Sequence, residues 1–220
     1  YLYSKNILES MYTHFEKEAK KAKIPSPLIC YAVKANANHD VLKALASLGS
    51  GADVVSAGEL KVALDAGMTA DKIVFSGVAK TEKEILYALD CSKNGIYSFN
   101  VESIEELELI NQCAQSLGKM ARVAFRLNPQ VNAKTHKHIS TGNKTHKFGI
   151  LKDDILKSLS IGKYWTHTKL VGLSIHIGSQ LTELNATVKA IKEMAELALI
   201  IPNDLEFLDV GGGLGIDYTE

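Results

Sequence analysis

The chain has 220 residues, 46% hydrophobic and 23% charged, and its 25 Lys and Arg balance 25 Asp and Glu to a formal net charge of +0. This is globular composition, long enough for a sizeable core. It lacks the basic surplus of a nucleic-acid or anionic-membrane binder, and no apolar run is long enough to span a bilayer. Cys30, Cys91 and Cys113 are odd in number and scattered among apolar or helical residues, which predicts buried free thiols in a reducing, cytoplasmic setting. The opening "YLYSKN" has no signal-peptide pattern.

Seven apolar strand-like runs follow one another: "LICYAVKAN", "GADVVSAG", "KIVFSGV", "GIYSFNVES", "ARVAFRLNP", "LVGLSIHIGS" and "LEFLDVGGG". Amphipathic helical stretches separate them. Three begin with a Ser/Thr-x-x-Glu capping box, at Ser56–Glu59, Thr81–Glu84 and Ser103–Glu106. "DVLKALASLG" is a helix with Gly49 as its C-cap, and "NATVKAIKEMAELALI" is a helix stopped before Pro202. Strict alternation of strand and helix predicts a parallel α/β sheet. Polar or charged residues stand at the C-terminal ends of the strands: Lys34, Ser56, Ser76, Asn100, Arg126, His176 and Asp209. In a (β/α)8 TIM barrel that end is the active-site face, so the expectation is such a barrel with seven of eight strands in view. Residues 128–150 are a long polar excursion at the same end of a strand, where long loops are often functional.

Three features carry chemistry. Alternation along "LICYAVK" puts Cys30, Ala32 and Lys34 on one strand face and Ile29, Tyr31 and Val33 on the other. With the bulky face on the helices, Lys34 enters the barrel mouth, where desolvation favours a neutral, nucleophilic amine able to form a Schiff base with a carbonyl. The plainer alternative is a strand-end lysine reaching solvent. In "LSIHIGSQ", Ser174 and His176 share a face, so the imidazole enters the same mouth and can stack on an aromatic ring, while Gly178 and Ser179 form a turn suited to a phosphate. A structural histidine is the plainer alternative there. In "LDVGGGLGI", Gly211, Gly212 and Gly213 follow a strand where these barrels commonly hold phosphate. Ile216 breaks the dinucleotide-binding glycine spacing, and no Gly-Lys-Ser/Thr follows, so neither a Rossmann turn nor a P-loop is present. Lysine, imidazole and phosphate turn, in that order, describe a site for pyridoxal 5′-phosphate. His136, His138 and His146 cluster too, but their spacing matches no zinc signature, and no metal is expected.

The motifs "YAVKAN", "ADVVSAGEL", "FSGVAK", "FNVES", "RLNPQV", "HIGSQ" and "DVGGGLGI" resemble the fold-type III pyridoxal-phosphate-dependent decarboxylases of basic amino acids, which have an alanine racemase-like barrel. "THKHISTGNKTHKFGI" is similar to the diaminopimelate decarboxylase signature within that group, through Thr135, His136, Ile139, Thr141, Gly142, Lys147, Phe148 and Gly149, with His138 in place of the usual aromatic residue. The resemblance implies that Lys34 binds the cofactor covalently and is the catalytic residue. It implies that His176 stacks on the ring, that Ser179, Gly211, Gly212 and Gly213 hold the phosphate, with Gly213 foremost, and that Asp53, Glu59 and Arg126 line the pocket. Glu59 has its capping box as an alternative role. It further implies a substrate loop with His136, Thr141 and Lys147, decarboxylation of meso-2,6-diaminopimelate to L-lysine and CO2, and a homodimer with shared active sites. The family's Glu-Pro-Gly-Arg and Cys-Glu-Ser stretches do not occur. The expectation is therefore a piece of a longer enzyme: residues 1–3 end a strand of a second, β-rich domain, and residues 4–220 are a barrel domain lacking its last strand. Competing readings are a decarboxylase of ornithine, arginine or carboxynorspermidine, an alanine-racemase-like enzyme, and a non-catalytic pyridoxal-phosphate-binding barrel.

Overall fold

All seven apolar runs form strands, and each is shorter than its sequence run: β1 (Cys30–Ala32), β2 (Gly51–Val54), β3 (Ile73–Phe75), β4 (Ser98–Val101), β5 (Ala121–Arg126), β6 (Thr168–Ser174) and β7 (Phe207–Asp209). The structure, a computed structural model, describes residues 2–131, 148–160, 165–202 and 204–216. Among the described residues seven α-helices accompany the strands: α1 (Lys5–Lys21), α2 (His39–Ser47), α3 (Ala57–Asp65), α4 (Glu82–Asp90), α5 (Ile104–Ser116), α6 (Lys152–Ser160) and α7 (Asn185–Ile200). The chain divides into two compact units, Tyr1–Phe99 with Cys113–Ala121, and Asn100–Gln112 with Arg122–Glu220, so that the division passes through β4 and α5.

In the first unit the strands neighbour one another in chain order, β1-β2-β3-β4, and every pairing is parallel. Parallel strands covered on both faces need continuous apolar sequence rather than alternation. β3 supplies it, with Ile73, Val74 and Phe75 all buried. Phe75 stacks on Phe99 of β4 with ring centroids 6.1 Å apart. Each fully buried side chain of this kind contributes about 1.5–3 kcal/mol. Leu42, Leu60, Ile85 and Leu89 bring α2, α3 and α4 onto this core. In the second unit β5, β6 and β7 are neighbours in that order, β6 and β7 parallel. Phe125, Leu173, Leu107, Ile110, Ile155, Met194 and Leu197 form the core there.

Helix starts agree with the capping signals. The Thr81 hydroxyl accepts from the Glu84 N–H and the Glu84 carboxylate accepts from the Thr81 N–H, a complete capping box. At α3 and α5 the serine half is present, Ser56 accepting from Glu59 N–H and Ser103 from Glu106 N–H. There the glutamate reaches one residue further back, to the N–H of Val55 and of Glu102. Gly49, at φ +88, closes α2 as expected. The helices α1 and α6 are additional to those read from the sequence. Ser4 caps α1 through Ile7 N–H. Of the cysteines only Cys113 is buried; Cys30 and Cys91 are half-buried, and none of the three is in a disulfide. Burial pushes the Cys91 and Cys113 thiols up, away from thiolate reactivity. Among the described residues no helix is long and apolar enough to cross a membrane, and no three His, Cys, Asp or Glu side chains gather as metal ligands.

Candidate active site

Lys34 and Asp53 belong to the first unit; Arg126, His176, Ser179 and the three glycines belong to the second. His136, Thr141 and Lys147 lie outside the described residues.

The strand carrying Lys34 ends earlier than its apolar run. β1 stops at Ala32, and Val33–Ala35 turn as a short 3-10 helix. Strand alternation therefore does not extend to Lys34, contrary to the expectation of one continuous face. Val33 takes the buried position at 0% exposure, and Lys34 is exposed. Among the described residues no acceptor holds the Lys34 ammonium, which leaves it available to a ligand. Asp53 is half-buried in β2, in register with Ala32 of β1 and Val74 of β3.

In the second unit the strand ends converge. β5 delivers Arg126, whose Nη1 donates to Glu102 Oε1 at the end of β4, in an ion pair with side chains 14% and 4% exposed. Arg126 Nη2 donates to the carbonyl of His176 at 3.3 Å. Glu102 Oε2 accepts from the Gly149 N–H at 3.1 Å. Phe148 lies over the guanidinium, 5.4 Å from its ring centroid, a cation–π contact. Ile150 is held on both sides of Leu127, its N–H donating to Arg126 O and its carbonyl accepting from Asn128 N–H. Gly149 must be glycine there. Its φ is +81, and a Cβ would stand 2.8 Å from Arg126 O.

The glycine turn follows β7. Asp209 Oδ1 accepts from Gly211 N–H at 2.8 Å, and Oδ2 accepts from Asn100 Nδ2 at 3.2 Å. Burial pushes the Asp209 carboxyl above the usual carboxylate range, against those two bonds and the nearby Arg126 cation. Gly211 and Gly213 have φ +73 and +83. A Cβ on Gly211 would meet Ile175 O at 2.3 Å and come 3.3 Å from His176 Nδ1, so the imidazole flanks the turn. A Cβ on Gly213 would meet Gly178 O at 2.0 Å. Those two glycines are thus required by the protein's own backbone. Gly212 differs: a Cβ there would meet nothing within 4 Å.

The residues present fit a phosphorylated cofactor. Gly211 N–H is occupied by Asp209, but among the described residues the N–H groups of Gly212 and Gly213 and the exposed Ser179 hydroxyl have no partner. Consecutive amides in a left-handed turn make a concave anion site. The Ser174 hydroxyl, 2% exposed on β6, is also unpartnered among the described residues. A groove of about 420 Å³ lies beside Glu102 and Gly149, toward Ile104, Leu151, Asp154 and Lys157. It includes none of the residues expected to hold the cofactor. Glu102 is the residue that sequence reasoning missed. Its position at a strand end, just before the Ser103 cap, is the only local signal it gives.

Comparison with known proteins decides the family. The family model described as pyridoxal-dependent decarboxylase, pyridoxal binding domain, matches residues 8–220. The chain belongs to the pyridoxal-dependent decarboxylase family. It is 45% identical to a diaminopimelate decarboxylase of Neisseria meningitidis over 100% of this chain and 53% of that protein. The crystal structure of diaminopimelate decarboxylase from Helicobacter pylori complexed with L-lysine superposes with a TM-score of 0.89 at 43% identity, over 99% of this chain and 54% of that one. A lysine/ornithine decarboxylase from Vibrio vulnificus, complexed with putrescine, gives 0.76 at 25% identity, over 98% of this chain and 53% of that one. The expected fold, an alanine racemase-like barrel domain, is thereby the decarboxylase fold of these structures. The chain spans about half the length of the relatives it matches.

Proposed function

We propose that this chain is the cofactor-binding part of a diaminopimelate decarboxylase, a lysine-biosynthesis enzyme that releases CO2 from meso-2,6-diaminopimelate to give L-lysine. One observation carries the reading: identity of 45% along the whole chain with a diaminopimelate decarboxylase, against 25% with a lysine/ornithine decarboxylase of the same fold. The full protein is proposed to be cytoplasmic and homodimeric, with sites completed by the partner subunit.

In this proposal pyridoxal 5′-phosphate, when bound, would supply an electron sink for the decarboxylation. The chain's own residues bind and orient. Lys34 offers an exposed amine that no acceptor among the described residues holds, reachable by the aldehyde it is proposed to bind. His176 presents its ring beside the glycine turn. Gly212 and Gly213 N–H and the Ser179 hydroxyl would hold the phosphate, while Gly211 is held by Asp209 and shapes the turn. Arg126 braces the His176 backbone. Asp53 lines the pocket from β2, and His136, Thr141 and Lys147 contact the substrate.

The test is CO2 release by the full-length protein, loaded with pyridoxal phosphate, from diaminopimelate, ornithine, arginine and carboxynorspermidine in parallel. Diaminopimelate is expected to be the preferred substrate. Preference for ornithine would move the protein to the rival decarboxylases, and bound cofactor without turnover on any of the four would make it a binding protein.

A further inference from the structure

We propose that Glu102 is a positioning residue that sets the cofactor-side geometry through Arg126. The inference rests on the reading above and adds a residue outside the sequence-expected site. Glu102 is 7% exposed, and both carboxylate oxygens are used: Oε1 by Arg126 Nη1, Oε2 by Gly149 N–H at 3.1 Å. Arg126 passes the constraint on, because its second nitrogen, Nη2, holds the His176 carbonyl at 3.3 Å. One carboxylate therefore ties three places together: the end of β5, His176 two residues past β6, and the Gly149 amide.

The chemistry requires a carboxylate. Glu102 faces donors on both oxygens, and only an ionised carboxyl accepts at both. A glutamine would turn an NH2 group either on the guanidinium or on the Gly149 amide. Its neutral side chain would also leave a nearly buried guanidinium without its counter-charge, which is far costlier than the same loss at the surface. Asp209 is the other carboxylate acting on Arg126. Without Glu102, Arg126 is drawn toward Asp209, whose oxygens hold Gly211 N–H and Asn100 Nδ2. The loss at Glu102 thus reaches both the imidazole and the phosphate turn, although Glu102 itself touches neither.

The experiment is a double-mutant cycle on the full-length apoprotein, with pyridoxal phosphate affinity as the readout and melting temperature measured alongside. Glu102→Gln is expected to weaken cofactor binding about tenfold, the order seen when an outer residue that orients a ligand is lost. Arg126→Gln is expected to weaken it at least as much. The double variant should bind no more weakly than Arg126→Gln alone, while melting higher than either single variant because no buried charge is left uncompensated. Effects that multiply in the double variant, or a Glu102→Gln protein with unchanged affinity, would overturn the inference. If a single variant fails to fold, the neutral Gln–Gln pair still decides: weakened affinity in a folded protein supports the proposal, and wild-type affinity refutes it. Failure of the functional reading looks different, since the unsubstituted protein would then not bind pyridoxal phosphate at all.

Discussion

The ends of β1 and β5 each carry a cation, and the protein treats the two in opposite ways. Lys34 stands exposed on a 3-10 turn with no acceptor among the described residues. Arg126 is held on two sides, by the Glu102 carboxylate and the His176 carbonyl, under the Phe148 ring. A guanidinium tied to a nearly buried carboxylate and a backbone carbonyl is held in place, whereas the exposed Lys34 side chain is not. The contrast separates a position held by the fold from one that the proposed chemistry would use.

The largest expected effect is at the free cation. Lys34→Ala should abolish the visible absorbance band of cofactor bound by the full-length protein while leaving its melting temperature unchanged. A retained band would mean that the cofactor is anchored elsewhere, and the contrast would fail. At the braced cation the order is reversed. Arg126→Gln leaves Glu102 buried without its partner, and chemical denaturation should report a loss of about 3–5 kcal/mol. A loss below 1 kcal/mol would show that the pair is not the brace described.

The glycine turn sharpens the same distinction between positions the fold needs and positions left to a ligand. Gly213→Ala forces a Cβ onto Gly178 O at 2.0 Å and a φ of +83, so loss of stability is expected in the range of about 1–3 kcal/mol. Gly212→Ala meets no atom within 4 Å. Its stability should stay within about 0.5 kcal/mol of the parent, with any loss confined to pyridoxal phosphate affinity. Unchanged affinity in Gly212→Ala would remove that residue from the phosphate site.

The smallest effect is expected at a surface cluster remote from any proposed chemistry. Hydrogen bonds from Arg122, then Lys169, pull the Glu206 carboxyl from 4.5 down to about 2. A depressed carboxylate stabilises the folded state above its unfolded value and loses that contribution as pH falls from about 4.5 toward about 2. Glu206 is 37% exposed, so solvent screening limits the effect to about 1 kcal/mol or less. Glu206→Gln should therefore lower stability slightly at pH 7, and the difference from the parent should close on acidification through that window. A difference that persists below pH 2 would point to lost packing instead.

Sequence by itself determined the parts whose causes lie within a few residues. Strand positions followed from apolar runs, and the starts of α3, α4 and α5 from Ser56, Thr81 and Ser103, because a cap binds an amide three residues away. The resemblance of whole motifs brought the family and its cofactor into view. Tertiary structure alone decided where β1 ends, and with it the exposure of Lys34, since two more residues of alternation look as good in sequence as a turn. It also decided that Glu102 serves Arg126, 24 residues on, and Gly149, 47 residues on. The same holds for Gly213, which is glycine for the sake of a carbonyl at Gly178. Each of these depends on atoms brought together only when separate strands pair, and no local pattern of charge or hydrophobicity records which distant group will fill the space.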